Sequence, residues 1–545
     1  MTKTGQRLSL TCFPDMTRAT RNILFVMCDQ LRWDYLSCSG HPTLKTPNID
    51  ALAGRGVRFD RAFCQAPICG PSRMSFYTGR YQFSHGSSWN NYPLRVDEWT
   101  LGDYLRPLGL RVALAGKTHM RADVEGLVKL GIDPGSELGV LVSECGFEPY
   151  ERDDGLHPDS VLKPDLAYNR YLNQKGYPGE NPWHTAANSV EDEDGQTLSG
   201  WYWGHSNRPA RIAVEDSETP YMTDRAIDFI TEMGEQPWCL HLSLIKPHWP
   251  YIAPGHYASM YGPEDFLDVV RSEAERADPH PVYAAFMRHR DSQLFGREDA
   301  RETILPAYMG LVKQIDDEIG RLMHQLDRLG RLEDTMIVFT SDHGDYLGDH
   351  WLGEKDLFHE PSIRLPMIID DPSETANATR GKVDDRLVEA IDLIPTFIEA
   401  LGGEIPDHRL EGRSLMPLVG GETELAWRDY VICESDYSGR LASADMNLDP
   451  KDARAFMLRT ERWKYVLHQK FRPQLWDLEA DPDEFTDLGD DPAYASVRAE
   501  LHEALFTWMR NRRLRVTISD AEVRARNNNA DRVGILIGHW KPEEE

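Results

Sequence analysis

The sequence predicts an α/β fold, a largely parallel sheet flanked by helices on both faces, with a smaller C-terminal α+β domain. Three observations lead there. Short apolar runs recur along the chain and each stops abruptly at polar residues; amphipathic helical patterns lie between them; and after about residue 420 this alternation gives way to a hairpin pattern. Strands that alternate with helices pair in parallel, because each crossover helix must pack back onto a face of the sheet.

The first run, NILFVMC at 22–28, ends at Asp29. It is succeeded by VALAG (112–116), WCLHLSL (238–244), TMIVFT (335–340) and LPMII (365–369). Continuous apolar character is what a strand buried on both faces requires. The clearest helix is predicted at 305–329, where Leu311, Ile315, Ile319, Leu322, Leu326 and Leu329 keep a three-or-four spacing and Gly330 supplies the stop. Residues 120–220 break the rhythm with stretches such as NSVEDEDGQTLSGWYWGHSN. An irregular insertion of this length serves as an active-site wall or as plain elaboration, and both readings stay open. Near the end, RWKYVLHQ and then QLWDLEADPDEFTDL read as a hairpin and an acidic turn, and RVGILIGHW as an apolar segment for packing on another subunit of a homo-oligomer. The expected division is therefore a tail at 1–20, a main α/β domain at 21–420 and a C-terminal domain at 421–545.

Composition narrows the function. With 60 Lys and Arg against 89 Asp and Glu, the formal charge of -29 repels phosphate backbones and anionic membranes, which argues against nucleic-acid and membrane partners. Any anion chemistry then needs a local basic pocket. The eight cysteines are scattered without a CxxC pair, as expected of free thiols in a reducing compartment, and the N-terminal stretch has no apolar leader, so a cytoplasmic protein is expected.

Ligands of open α/β sheets bind beyond the carboxyl ends of the strands. There the chain carries Asp29-Gln30, Lys117-Thr118-His119, Lys246-Pro247-His248 and Ser341-Asp342-His343-Gly344-Asp345. Each alone reads as a polar loop; four together, of complementary chemistry, point to one site. Asp29, Asp342 and His343 offer two carboxylates and an imidazole to a divalent cation, and Lys117, His119, His248 and Lys355 can surround an anion beside it. That donor set suits manganese first and calcium second.

Between the first two strand ends lies Cys69-Gly70-Pro71-Ser72-Arg73, continuing to Thr78-Gly79-Arg80. Pro71 suits the first turn of a helix, which places Cys69 at the helix N-terminus and Arg73 one turn further on the same face. The segment resembles the type I sulfatase signature, Cys-x-Pro-Ser-Arg-x4-Thr-Gly-Arg, at every specified position. The resemblance extends in order to TPNIDALAGRGVRFDRAF, GKTH, KPHWPY, SDHGDYLGDH with Lys355, and WDLEADPDEFTDL.

The resemblance implies an alkaline-phosphatase-like fold and hydrolysis of sulfate monoesters by a formylglycine made from Cys69, which requires a formylglycine-generating enzyme as partner. It implies a divalent metal held by Asp29, residue 69, Asp342 and His343. It makes Arg73 a support of the nucleophile, His248 with Lys355 the acid for the leaving group, and His119 the base that releases product; Lys117, Asn90 and Gln30 would contact substrate oxygens. Two positions depart from the usual sulfatase pattern: Gln30 stands for a second acidic residue and His343 for an asparagine. Both look like the phosphonate monoester hydrolase branch of the same superfamily, whereas Lys117 and His119 match sulfatases. The expectation is arylsulfatase-type activity with phosphonate monoester or phosphodiester turnover. The alternatives are a primary phosphonate and phosphodiester hydrolase, a phosphomonoesterase, and a non-catalytic metal- or anion-binding relative. Trp89, Trp201, Trp203 and Trp249 read as an aromatic pocket or as packing.

Overall fold

The computed structural model describes residues 20–162, 166–512, 515–527, 532–538 and 540. Its centre is an eight-stranded sheet made, in chain order, of β1 (Asn22–Asp29), β2 (Val57–Phe59), β3 (Arg111–Gly116), β4 (Glu148–Arg152), β5 (Trp238–Pro247), β6 (Thr335–Ser341), β7 (Met367–Asp370) and β8 (Lys382–Asp384). In space the order is β8-β2-β7-β6-β1-β5-β3-β4. Four of the apolar runs become β1, β3, β5 and β6, and these neighbours pair in parallel. The fifth run becomes β7, which lies antiparallel to β6, a pairing that needs no crossover helix. The edge strand β4 lies inside the irregular insertion, and the short, half-polar β2 and β8 complete the other edge.

Strand β1 is buried along its whole length. Ile23, Phe25 and Met27 enter the core on one face of the sheet, and Leu24, Val26 and Cys28 the core on the other, the alternation a pleated strand imposes. Parallel pairing sets the strand ends level. Asp29 stands opposite Pro247, Cys28 opposite Ser341, and Gly116 opposite Ser243. The polar residues just past β1, β3, β5 and β6 therefore meet along one edge.

Three helices flank this edge or the sheet behind it: α1 (Cys69–Thr78), α2 (Glu218–Met233) and α3 (Glu298–Arg328). Helix α3 is the helix expected at 305–329, but it begins about two turns earlier and runs through Pro306. The proline and the polar residues before it hide the start, since proline near a periodic stretch reads as a first turn. Helix α1 is buried at every position, and Gly79 after it adopts φ +66, the left-handed stop that glycine takes without strain.

The C-terminal sheet is antiparallel, β9 (Tyr430–Asp436), β10 (Arg454–Thr460), β11 (Trp463–His468) and β12 (Gln474–Asp477). The hairpin read from the sequence is β11 with β12, and helix α4 (Ala495–Arg510) lays Leu501, Leu505 and Trp508 on this sheet. The N-terminal tail expected at 1–20 lies, apart from Thr20, outside the described residues. In the apolar segment near the C-terminus, Val533, Ile535, Leu536 and Ile537 are exposed. The cysteines among the described residues are all free, and Cys12 lies outside them. Among the described residues no helix is long and apolar enough to cross a membrane.

Several histidines are buried as neutral side chains. His241, on β5, sits against Phe25 with ring centres 4.4 Å apart, and its ring nitrogens bond Phe25 O at 3.0 Å and Tyr77 Oη at 2.9 Å. Burial holds His241, His85 and His468 down to about 3. Each takes up a proton only on unfolding once the pH drops below the ordinary histidine value, so the stability they contribute is complete above about pH 6.5 and is lost toward pH 3. We expect the urea midpoint to fall steadily between pH 7 and pH 4. His241→Gln should remove about 1.4 kcal/mol per pH unit from that slope; an unchanged slope would show that His241 does not titrate in this way.

Candidate active site

The site is built where the ends of β1, β3, β5 and β6 meet the N-terminus of α1. Asp29 closes β1, and Asp342-His343 come directly after β6. Asp342 Oδ1 accepts hydrogen bonds from the Gln30 and His343 amides, both at 3.0 Å, so its carboxylate is fixed by backbone before any ion is considered. Ser341 braces the same turn: its Oγ accepts from Leu31 N at 2.9 Å and shares its one proton between His343 O at 2.7 Å and Cys28 O at 2.9 Å.

Arg73, on α1, is wholly buried beneath the two acids. Its Nε donates to Asp342 Oδ2 at 2.8 Å and its Nη2 to Asp29 Oδ2 at 3.2 Å, while Nη1 donates to Ser243 Oγ at 2.7 Å and Lys117 O at 2.9 Å. One guanidinium thus holds residues from four strand ends. A planar donor set suits this, and an ammonium has too few directions to do it. Lys117 reaches Asp29 Oδ2 at 2.5 Å from the other side.

Cys69 is the first residue of α1. Its Sγ lies 3.1 Å from His343 Nε2, 3.5 Å from Lys355 Nζ and 3.6 Å from Asp29 Oδ1. The turn is fixed from outside the helix: Asn90 Oδ1 accepts from Gly70 N at 2.7 Å, and a side chain on Gly70 would collide with it. Burial and Asp29 push the Cys69 thiol up, but Lys355, Lys117 and His343 outweigh them and bring it down to about 5. Such a place favours a negative atom on residue 69.

One donor atom each from Asp29, Cys69, Asp342 and His343 lies within 4.8 Å of all the others. Cations bind such donors at roughly 2.0–2.6 Å, so one ion can touch all four. The imidazole is already oriented for it. His343 Nδ1 is 2.9 Å from Gly344 O, which assigns the proton to that nitrogen and turns Nε2 toward the cluster. Burial lowers His343, yet Asp342 and the Cys69 sulfur raise it to about 9. The cluster therefore demands positive charge; an imidazole proton answers that demand and a divalent cation answers it better. The residues fit a metal ion.

Around the cluster stand the groups expected to surround an anion. The Lys355 ammonium bonds Gln30 Oε1 at 2.7 Å. Gln30 adopts φ +66, and its Nε2 donates to Asp345 Oδ2 at 2.5 Å and Tyr251 Oη at 3.3 Å, so in this arrangement its amide orients Lys355. His248 Nδ1 is 2.8 Å from Trp249 O, leaving Nε2 for the site; burial lowers the imidazole to about 4 against the pull of Asp29. His119 adopts φ +55 and is fixed by its amide, which donates to Asp154 Oδ1 at 3.1 Å. Burial and Lys117 lower it to about 3, and its Nδ1 is buried without a hydrogen-bond partner. Asn90 meets the site through Gly70.

The insertion reaches this wall. Lys246 Nζ bonds Asn188 Oδ1 and Pro250 O, both at 3.0 Å, and Trp201 meets Trp249 edge-on at 5.5 Å, with Trp249 4.2 Å from the His248 ring. Trp203 instead packs on Tyr251 and Phe295, and Trp89 on Gly439 and Arg440. The groups that the sequence did not single out are Ser243 and Asp154, both supports of named residues. Two further supports carried a signal, Asp345 as the last acid of SDHGD and Tyr251 as the last residue of KPHWPY.

The sulfatase family model matches residues 21–133 and 166–403, which hold the four donors of the cluster together with Arg73, Lys117, His119, His248 and Lys355. The chain belongs to the sulfatase family. A second model, the C-terminal part of N-sulphoglucosamine sulphohydrolase, matches residues 348–511. Among curated relatives, a multifunctional alkaline phosphatase superfamily protein of Trinickia caryophylli is 32% identical over 90% of this chain and 95% of its own length. An arylsulfatase of Clostridium perfringens is 28% identical over 87% of this chain and 91% of its own. Among solved structures, a phosphonate monoester hydrolase from Silicibacter pomeroyi superposes with TM-score 0.80 at 29% identity, covering 91% of this chain and 97% of that one. The corresponding hydrolase of Agrobacterium radiobacter gives 0.78 at 29% identity, covering 91% and 96%. This sulfatase-family chain is thus an ester hydrolase on the scaffold shared by sulfatases and phosphonate hydrolases.

Metal binding is open to direct test. Asp342→Asn keeps the shape but removes the charge that Arg73 and the ion share. We expect elemental analysis to show bound metal falling from about one equivalent to below a tenth, and chelation to lower the melting temperature of the parent but not of the variant. Full metal occupancy in D342N would remove Asp342 from the ligand set.

Proposed function

We propose that this member of the sulfatase family hydrolyses sulfate monoesters of the arylsulfatase type and also turns over phosphonate monoesters and phosphodiesters. The observation that supports the reading best is the placing of residue 69: its reactive atom sits in the four-donor cluster with the cations of Lys117 and Lys355 beside it. Sulfate, phosphonate and phosphodiester esters each carry one negative charge, so a pocket suited to one suits the others. The net charge of the chain repels anions, and this cationic wall reverses the sign locally.

Formylglycine made from Cys69 by a formylglycine-generating enzyme, together with a divalent ion, manganese in preference to calcium, would supply an oxygen nucleophile at neutral pH. The chain's own residues do the rest. Arg73 pairs with Asp29 and Asp342 and holds them at fixed separation. Lys117 and Lys355 hold the non-bridging oxygens of the ester as charge builds on them. His248 presents Nε2 toward the cluster, with its other nitrogen tied to Trp249 O, and delivers a proton to the departing oxygen. Its low proton affinity in the free site rises once an anion lies against it. The unpartnered Nδ1 of His119 accepts the proton whose loss releases the product.

A second reading, that phosphonate monoesters or phosphodiesters are the preferred substrates, is favoured by Gln30 and His343 and by the likeness to the two phosphonate monoester hydrolases. Matched nitrophenyl sulfate, phenylphosphonate and phosphodiester esters separate the two. The first reading expects kcat/KM for the sulfate to be the highest of the three and expects Cys69→Ala to lose at least about 1000-fold on all of them. Peptide mass analysis of position 69 should show conversion to the aldehyde in active protein. Undetectable sulfate release by fully converted, metal-loaded protein would reject the first reading in favour of the second.

A further inference from the structure

The C-terminal sheet meets two active-site loops at once, at the turn after β9. On one side Asp436 Oδ2 accepts from Ser88 Oγ at 2.7 Å, and Gly439 packs so closely on Trp89 that an added methyl would lie 2.7 Å from the indole. The next residue, Asn90, fixes the Cys69-Gly70 turn. On the other side Ser435 Oγ donates to Asp356 O at 3.0 Å. Arg440 Nη2 pairs with Asp356 Oδ2 at 2.5 Å, lies 3.6 Å from Glu354 Oε2, and places its guanidinium over the Trp89 ring at 5.3 Å.

Lys355 stands between those two acids. Both have left-handed backbone, Glu354 at φ +57 and Asp356 at φ +89. Residues with side chains rarely adopt this conformation and keep it only where the surroundings hold them. The surroundings here are Arg440, the Ser435 hydroxyl, and backbone bonds of 2.7 Å from Tyr346 N to Glu354 O and 2.9 Å from Asp356 N to Pro67 O. The charge balance depends on Arg440 as well. Asp291 lies in the same cluster, and burial together with Glu354 pushes its carboxyl up to about 7.

We infer that Arg440 is a positioning residue of the active site: by holding Glu354 and Asp356 it sets the place of the Lys355 ammonium 3.5 Å from the reactive atom of residue 69. Without it the buried Asp356 and the half-buried Glu354 lose their shared cation beside a strained turn, which relaxes and carries Lys355 away. A shift of this kind, about 1 Å, costs on the order of 100-fold in rate when a charge must meet a transition state. The inference rests on the proposed role of Lys355 in holding the ester.

A double-mutant cycle tests it, using the preferred nitrophenyl ester and protein of equal metal content and equal conversion at position 69. Arg440→Ala should lower kcat/KM by about 30-fold or more, mostly in kcat, with Arg440→Lys between it and the parent. In a Lys355→Ala background, Arg440→Ala should cost less than about threefold further, because the group it places is gone. Arg462→Ala, which removes the pair between exposed Arg462 and Asp477 of β12 on the same sheet, should leave kcat unchanged. Parent-like kcat in R440A, equal losses in both backgrounds, or a matching loss in R462A would overturn the inference while leaving the role of Lys355 intact. Parent-like turnover in K355A would overturn that role itself, and the inference with it. Should R440A fail to fold, Arg440→Gln and Arg440→Lys carry the same comparison.

Discussion

Two carboxylates cannot share a dry site unless something positive stands between them. Here the buried guanidinium of Arg73 does so, touching Asp29 and Asp342 at once and reaching across to Ser243 and the Lys117 carbonyl. Leaving either acid unpaired in such a place would cost several kcal/mol or force it to take up a proton. The remaining architecture depends on this contact. The two carboxylates suit the cluster to a cation; with Arg73 anchored on α1, residue 69 at the start of that helix is held against the same acids. Lys117 adds a second positive contact to Asp29.

Much of this was legible in the sequence because parallel strands end level. Asp29, Lys117, His119, His248, Asp342 and His343 each stand just past an apolar run, and register explains why they meet. Cys69 and Arg73 were legible through the sulfatase signature, and helix geometry set them one turn apart. The hidden parts were of two kinds. Short half-polar strands such as β2 and β8 have no periodicity to detect, and β4 lies within an irregular stretch where no neighbouring helix announces it. Side chains that act through other side chains, such as Ser243 beside Arg73, are chosen by contacts between residues far apart in sequence, which no local pattern records. Gln30 shows the limit well: its type was conspicuous, but its place between Lys355 and Asp345 depends on a left-handed backbone that the sequence does not announce.

The C-terminal sheet has the outline of an appendage, and its contacts argue otherwise. Asp436 and Arg440 meet the loops that carry Asn90 and Lys355. Deeper in the interface the Lys464 ammonium, fully buried, lies 2.5 Å from Glu484 and 3.1 Å from Glu360, which begins the short helix after the Lys355 loop. A charge that has lost water needs an opposite partner in close contact, and Lys464 has two there.

The side chain of Cys69 is 1% exposed. No other protein can bring its own catalytic groups to an atom so enclosed, and any enzyme that alters this residue has to finish before the surrounding strands close. For the proposed conversion of Cys69 to formylglycine, maturation is therefore a race against folding. Conditions that slow collapse of the chain, such as cooler growth, should raise the matured fraction, whereas protein that has already folded with a thiol at this position stays immature until it is unfolded again.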